Sequence, residues 1–489
     1  MHSSLATPTV FSGLQPAAVW AHFATLCRIP RASKHEAAIR SELLAWADKR
    51  GLGAEVDAVG NLLIRKPATQ GREDVPGVIL QAHLDMVCQK NSDSDHDFLR
   101  DSIVPVLDGG WLRAEKTTLG ADNGIGVALI LALLESDDIA HGPIEALLTV
   151  DEEAGMGGVR GLASGALQGS LMLNLDTEEW GEFYLGCAGG LDVNIERSGL
   201  PDALPDGYQG WQLVLHGLHG GHSGVDIHEG RGNAIKLLVR ALRHLERDFP
   251  LRLAELKGGT ARNALPREAM ASFALPAGMG DRLAAAVMEL QVFLGNELRG
   301  VDEGLVLAVS PCAVDSVLAS EEQAVWLASL HAAPHGVRCM SRRVPGVVET
   351  SNNLGMVDLA PAGGSCNFMV RSLLDSGSTA LADEIVSLWA LSGTVAATNG
   401  YYPGWAPNPA SALLKTCQAV YARDFAADSM VQVIHAGLEC GIIGAKYPGL
   451  DIVSFGPTIR GAHAPGERVE VASVAKCWQL LTAILAELR

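Results

Sequence analysis

His83, Asp122, Glu153, Asp176 and His463 each stand in a short polar motif at the end of an apolar, strand-like run. The motifs are VILQAHLD, TTLGADNGIG, ALLTVDEEAGMGG, LMLNLDTE and SFGPTIRGAHAPGE. Charged groups placed just past buried strands are costly unless something compensates them, and a bound cation does so. Two histidines, two aspartates and one glutamate suit zinc and its neighbours better than copper(I) or iron–sulfur clusters. The chemistry such a set would perform is two-metal hydrolysis, in which paired cations activate a water.

Each motif also has a plainer explanation. In HLD, His83 and Asp85 project to the same side of an extended chain. His83 can then ligate a metal through one ring nitrogen while Asp85 orients the ring through the other; a hydrogen-bonded strand end explains the pair equally. Asp122 precedes a helix starting near Gly124, where an aspartate N-cap is favoured, or it bridges two cations. Asp151, Glu152 and Glu153 form either a solvated acidic loop or a division of labour, one glutamate on metal and the other holding a water as general base. The glycines of GMGGVRG lack dinucleotide-loop spacing, and three carboxylates would face the pyrophosphate, which excludes that reading. Asp176 and His463 read singly as turn residues or ligands. Jointly, five ligand-type residues at the strand ends of one sheet are hard to explain as five independent turns, and such an edge is where ligands gather in open α/β folds. Of the histidines in HGLHGGHSG, His216 and His219 read as exposed strand residues. Arg371 is either a surface charge or a fork for a substrate carboxylate.

Positioning these residues takes a sheet covered on both faces. The spacing predicts helices over VWAHFATLCRI and HEAAIRSELLAWADKRG, a strand pair turned at Gly60, and a helix over GIGVALILALLES. VILQAHL, IEALLTV and LMLNL read as buried strands. From about Gly190 the texture changes to alternating, half-exposed strands such as LDVNIER and GWQLVLHGL, with amphipathic helices such as GRGNAIKLLVRALRHLERDF. Two rounds of strand and helix recur there. NGYYPGWAPNPAS reads as a linker, after which the first texture resumes. The expected organisation is a discontinuous catalytic domain, 1–187 and 402–489, around an inserted α+β domain at 188–401, with His463 on the return segment. A chain of 489 residues exceeds what one core usually serves. Its net charge of −19 argues against a nucleic-acid partner. No stretch reaches the roughly 18 uncharged apolar residues of a spanning helix, the start lacks a signal-peptide pattern, and nine dispersed cysteines without a C-x-x-C pair fit reduced thiols. A cytoplasmic protein with no membrane partner is expected.

The chain resembles the aminoacyl-histidine dipeptidases, among the di-zinc exopeptidases that also include aminoacylase and succinyl-diaminopimelate desuccinylase. The resemblance runs nearly the full length, through QAHLDMV, TTLGADNGIG, TVDEEAGMGG, NLD, GHSGVDIHEGRGNA, GGTARNALPRE, VETSNNLG, HAGLECGI and GPTIRGAHAPGERV. It implies an α/β catalytic domain with a mixed central sheet flanked by helices, an inserted α+β lid, and hydrolysis of Xaa-His dipeptides such as β-alanyl-histidine. By this likeness Asp122 bridges two divalent metal ions, Zn2+ first and Co2+ or Mn2+ as substitutes. His83 and Asp176 complete one site, Glu153 and His463 the other. Asp85 orients His83, Glu152 is the general base, and a cis peptide is expected at Asp122–Asn123. In the lid, His222 supports the oxyanion, and Asn263 and Arg371 grip the dipeptide, Arg371 at its C-terminal carboxylate. HAGLECG, residues 435–441, marks the dipeptidase branch, and aspartate at 176 sides with aminopeptidase-like members. Two arrangements stay open, a homodimer through the lid and a chain whose large lid supplies His222 in cis. The rival on this scaffold is an N-acyl amino-acid amidohydrolase; a non-catalytic metal binder is disfavoured by the intact Asp85 and Glu152.

Overall fold

The computed structural model describes residues 9–489, which pack as two units. One comprises the chain up to Gly186, Asn408–Val433 and Glu439–Arg489; the other comprises Cys187–Pro407 and Ile434–Leu438.

The first unit is built on an eight-stranded mixed sheet in the order Gly53–Val56, Leu62–Lys66, Ile144–Thr149, Val78–His83, Leu171–Asn174, Asp451–Ser454, Glu182–Cys187, Met430–Ile434. Val78–His83 and Ile144–Thr149 are buried at every residue, as continuous apolar runs must be when both faces of a parallel sheet are covered. Four central strands run parallel, with His83 opposite Thr149, Gln81 opposite Asn174, and Ser454 opposite Asn174. The loops that follow them therefore all leave one edge of the sheet. Helix Ala121–Glu135 is buried on all sides from Asn123 to Leu134, which its unbroken apolar sequence allows; each fully buried leucine in it contributes about 1.5–3 kcal/mol. Gly120 precedes it at φ 70°, and a Cβ there would collide with Arg31 Nη2, so only glycine fits. Asp122 has a non-helical ψ of 112° and makes no cap hydrogen bond, and the Asp122–Asn123 peptide is cis. The N-cap explanation of Asp122 thereby falls away.

The second unit holds an antiparallel sheet flanked by helices. Two rounds of strand–helix–strand–strand–helix–strand build it. The inner round is Tyr208–His216, Ala234–Leu245, Arg252–Gly258, Ala269–Pro276, Gly280–Glu297 and Val306–Pro311. The outer round is Gly189–Ser198, Ser320–Ala332, Val348–Ala360, Gly363–Ser372, Asp375–Ala390 and Ala396–Tyr402. In both, the fourth strand lies beside the first, the first beside the third, and the third beside the second. The two second strands, Arg252–Gly258 and Val348–Ala360, pair antiparallel and join the rounds edge to edge. The duplication is thus one of topology, beyond what sequence texture reveals. One expectation is corrected: Asn399–Tyr402, read as the start of a linker, ends an edge strand paired with Gly189–Ser198. A bulge between Asn399 and Tyr402 takes up Gly400 at φ 65°, so turn-type residues sit within the ladder. Among the described residues no disulfide forms, and no helix is long and apolar enough to cross a membrane.

Candidate metal centre

The five expected ligands come together, but not as five strand ends of one sheet. His83, Glu153 and Asp176 stand at or after parallel strands of the eight-stranded sheet, whereas Asp122 opens helix Ala121–Glu135 and His463 stands on a hairpin of a separate four-stranded sheet. His83 Nε2 lies 3.1 Å from Asp122 Oδ1 and 3.3 Å from Asp176 Oδ1. His463 Nε2 lies 3.1 Å from Asp122 Oδ2 and 3.2 Å from Glu153 Oε2. Asp122 thus offers a different oxygen to each imidazole. Ligand atoms of His83, Asp122 and Asp176 fall within 4.8 Å of one another, as do those of Asp122, Glu153 and His463. A third grouping, His83 with Glu152 and Glu153, satisfies the same limit. His463 reaches the cluster from the tip of a hairpin formed by Ile459–Arg460 and Arg468–Glu470, with its own φ at 63°.

Electrostatics make the cluster a fit for cations. Burial pushes Asp176 up to about 6, with Asp122 and Glu153 adding to the rise and His83 opposing it. Burial likewise raises Glu152 well above the ordinary carboxylate range, against His83 and helped by Asp176, Glu153 and Glu439. Hydrogen bonds to the Asp122 and Glu153 carboxylates raise His463 to about 11. Glu153 Oε1 is buried with no hydrogen-bond partner among the described residues. Crowded carboxylates, an orphaned oxygen and two imidazoles form the donor chemistry that divalent ions of the zinc type take.

The supports behind these side chains are more extensive than the motifs suggest. Asp85, fully buried, has Oδ1 3.5 Å from His83 Nδ1, accepts the Glu152 N–H on Oδ1 at 3.0 Å, and accepts the Glu153 N–H and the Ser33 hydroxyl on Oδ2 at 3.1 and 2.7 Å. One carboxylate therefore ties HLD to the acidic triplet. Arg31, 2% exposed, donates Nη1 to the carbonyls of Leu84 and Asp85 and Nη2 to that of Gly120. Deeper still, Thr149 Oγ1 and Gln81 Nε2 donate to Glu439, Asn174 Nδ2 donates to Gln81, and Ser454 Oγ donates to Asn174. All five are fully buried, one polar side chain from each parallel strand plus Glu439. Sequence reasoning missed Arg31 and Glu439; its available signal was a polar residue interrupting each buried strand, Gln81 in VILQAHL and Asn174 in LMLNL.

His222, Asn263 and Arg371 come together in the second unit. His222 Nδ1 accepts the N–H groups of Gly224 and Val225 at 3.3 and 3.1 Å, which assigns the ring proton to Nε2. Nε2 lies 3.4 Å from Arg371 Nη2, so the imidazole and the guanidinium stand side by side. Arg371 is 3% exposed, not a surface charge, and donates Nη1 to the Tyr402 hydroxyl at 2.9 Å. Asn263 is exposed; its carbonyl accepts the Ser223 N–H at 2.8 Å, and Asn353 Nδ2 donates to the carbonyls of Arg262 and Ala264 on either side. His216 and His219 are exposed.

Residues 214–302, most of the inner round, match the peptidase dimerisation domain family. The cytosol non-specific dipeptidase of Escherichia coli (strain K12) is 45% identical over 478 residues, 98% of this chain and 99% of the relative. The crystal structure of the aminoacylhistidine dipeptidase from Vibrio alginolyticus superposes with a TM-score of 0.88 at 45% identity, covering 98% of both chains. An aminopeptidase of Bacillus cereus, 16% identical, shares the fold at a TM-score of 0.57 over 97% of this chain and 99% of its own. With identity of that level sustained from end to end, the chain belongs to the family of these dipeptidases, the aminoacyl-histidine dipeptidases.

Proposed function

We propose that the chain is a two-metal dipeptidase acting on Xaa-His dipeptides, β-alanyl-histidine among them. The observation that carries the reading is Asp122, whose two carboxylate oxygens each meet a different histidine at 3.1 Å, with Asp176 beside one and Glu153 beside the other. His83, Asp122 and Asp176 would hold one divalent ion and Asp122, Glu153 and His463 the other, Zn2+ being the ion that the imidazole and carboxylate donors suit best. Bound there, the ions supply Lewis-acid charge and an acidified water.

The chain's own residues do the rest. Glu152, its carboxyl raised by burial, takes a proton from the attacking water and returns it to the leaving amine. Asp85 fixes the His83 ring and, through the Glu152 and Glu153 N–H groups, the loop that carries the base. The His222 Nε2–H supports the oxyanion, Arg371 binds the C-terminal carboxylate, and Asn263 holds the dipeptide backbone. His222 and Arg371 adjoin within the second unit, which supports a shared grip on the dipeptide. The match of 214–302 to a dimerisation domain supports a homodimer through the same unit, and light scattering in solution tests it. The name of the E. coli relative supports a cytosolic location.

The experiment that separates this from the deacylase alternative is a paired assay. Purified protein is offered β-alanyl-histidine and other Xaa-His dipeptides alongside N-acetyl amino acids. Faster hydrolysis of the dipeptides is expected; turnover confined to the N-acetyl compounds would replace the proposal with its rival.

A further inference from the structure

Glu467 closes its carboxylate on four consecutive backbone N–H groups. Oε2 accepts from Leu119 and Gly120 at 2.7 and 2.8 Å, and Oε1 accepts from Ala121 and Asp122 at 2.7 and 3.2 Å. The residue is 2% exposed, and four donors use the acceptor sites a carboxylate offers. From the other side Arg31 donates to the Gly120 carbonyl. The loop that delivers Asp122 is therefore gripped at every peptide.

Glu467 also belongs to the segment that delivers His463. Ala464 N–H donates to the Gly461 carbonyl and Glu467 N–H to the Ala464 carbonyl, turning the hairpin tip back onto the strand Arg468–Glu470. One side chain thus spans from the loop of His463 to the peptide of Asp122, two of the three donors in the Asp122–Glu153–His463 group. His83 and Asp176 stand at or just past the ends of Val78–His83 and Leu171–Asn174 and take nothing from it.

We propose that Glu467 is a positioning residue that sets the spacing of Asp122 and His463, so that its loss empties the Asp122–Glu153–His463 site before the His83–Asp122–Asp176 site. This rests on the two-metal reading. The test uses full-length apo-protein, wild type, Glu467→Ala and Glu467→Gln, titrated with Co2+ by equilibrium dialysis against a competing chelator. Circular dichroism reports the folded fraction. Wild type should bind two equivalents. Glu467→Ala should keep one tight equivalent and bind the second roughly tenfold or more weakly, with kcat falling while KM for the dipeptide holds. Glu467→Gln, which retains one acceptor oxygen and turns an NH2 toward the other donors, should lie between. If Glu467→Ala does not fold, Glu467→Gln alone decides by the same criterion. Two equivalents bound with wild-type affinities in the folded variants, or equal weakening of both, would overturn the proposal. A wild-type protein that binds only one equivalent would instead overturn the two-metal reading beneath it.

Discussion

Replacing Asp85 by asparagine tests whether the site is held together from behind. Asp85 is fully buried and gathers the Ser33 hydroxyl at 2.7 Å, the Glu152 and Glu153 N–H groups at 3.0 and 3.1 Å, and the His83 ring at 3.5 Å. Burial opposes its charge, yet the bonds with His83, Ser33 and the Glu152 N–H hold the carboxyl at about 2. The asparagine side chain would keep the volume but convert one acceptor oxygen into an NH2 donor. At least one buried N–H is then left facing another donor, at about 1–3 kcal/mol, and more where the lost bond was charge-assisted. We therefore expect Asp85→Asn to lower the unfolding free energy by about 2–4 kcal/mol. Metal affinity should fall about 10–100-fold as His83 loses the carboxylate that orients it. Urea unfolding measures the first quantity and chelator competition the second. An unfolding free energy within about 0.5 kcal/mol of wild type, together with unchanged metal affinity, would refute the reasoning.

Glu152→Gln should cut kcat roughly 10²–10⁴-fold, about 3–5 kcal/mol of barrier, with two ions still bound. Loss of metal along with activity would make Glu152 a ligand, as its grouping with His83 and Glu153 permits. Arg371→Lys removes a two-pronged donor from its buried position, so KM for dipeptides should rise about tenfold or more while C-terminally amidated dipeptides are affected less; equal effects on both would contradict carboxylate binding. Burial, with Arg371 and His222 adding, lowers His435 to about 3. Its folded value lies below the ordinary ~6.5, so its contribution to stability is complete above that pH and is lost as pH falls toward 3. Between pH 6.5 and 4 the wild type should lose on the order of 3 kcal/mol more than His435→Gln; urea unfolding curves that track each other would exclude it.

Strand-end ligands are legible because strands buried on both faces leave continuous apolar runs, so His83, the acidic triplet and Asp176 stand out where the runs stop. His463 gives a weaker local signal, because it stands farther beyond its apolar run DIVSF, on an exposed hairpin tip rich in glycine and proline that singly reads as a turn. The N-cap alternative for Asp122 could be dismissed only with its backbone angles in hand. Arg31, Glu439 and Asn353 were invisible for another reason. Their partners are backbone carbonyls or side chains distant along the chain, and a hydrogen bond across 290 residues, as from Thr149 to Glu439, imprints no periodicity on either segment. The edge strand ending at Tyr402 was misread because a bulge lets Asn and Gly sit where alternation would place apolar residues.

The most direct measurement is hydrolysis of β-alanyl-histidine by chelator-stripped protein as zinc is returned in known equivalents. Two-metal catalysis through Asp122 predicts no turnover in the stripped protein and activity that climbs to a plateau at two equivalents per chain. Full activity at one equivalent, or turnover that survives stripping, would contradict it.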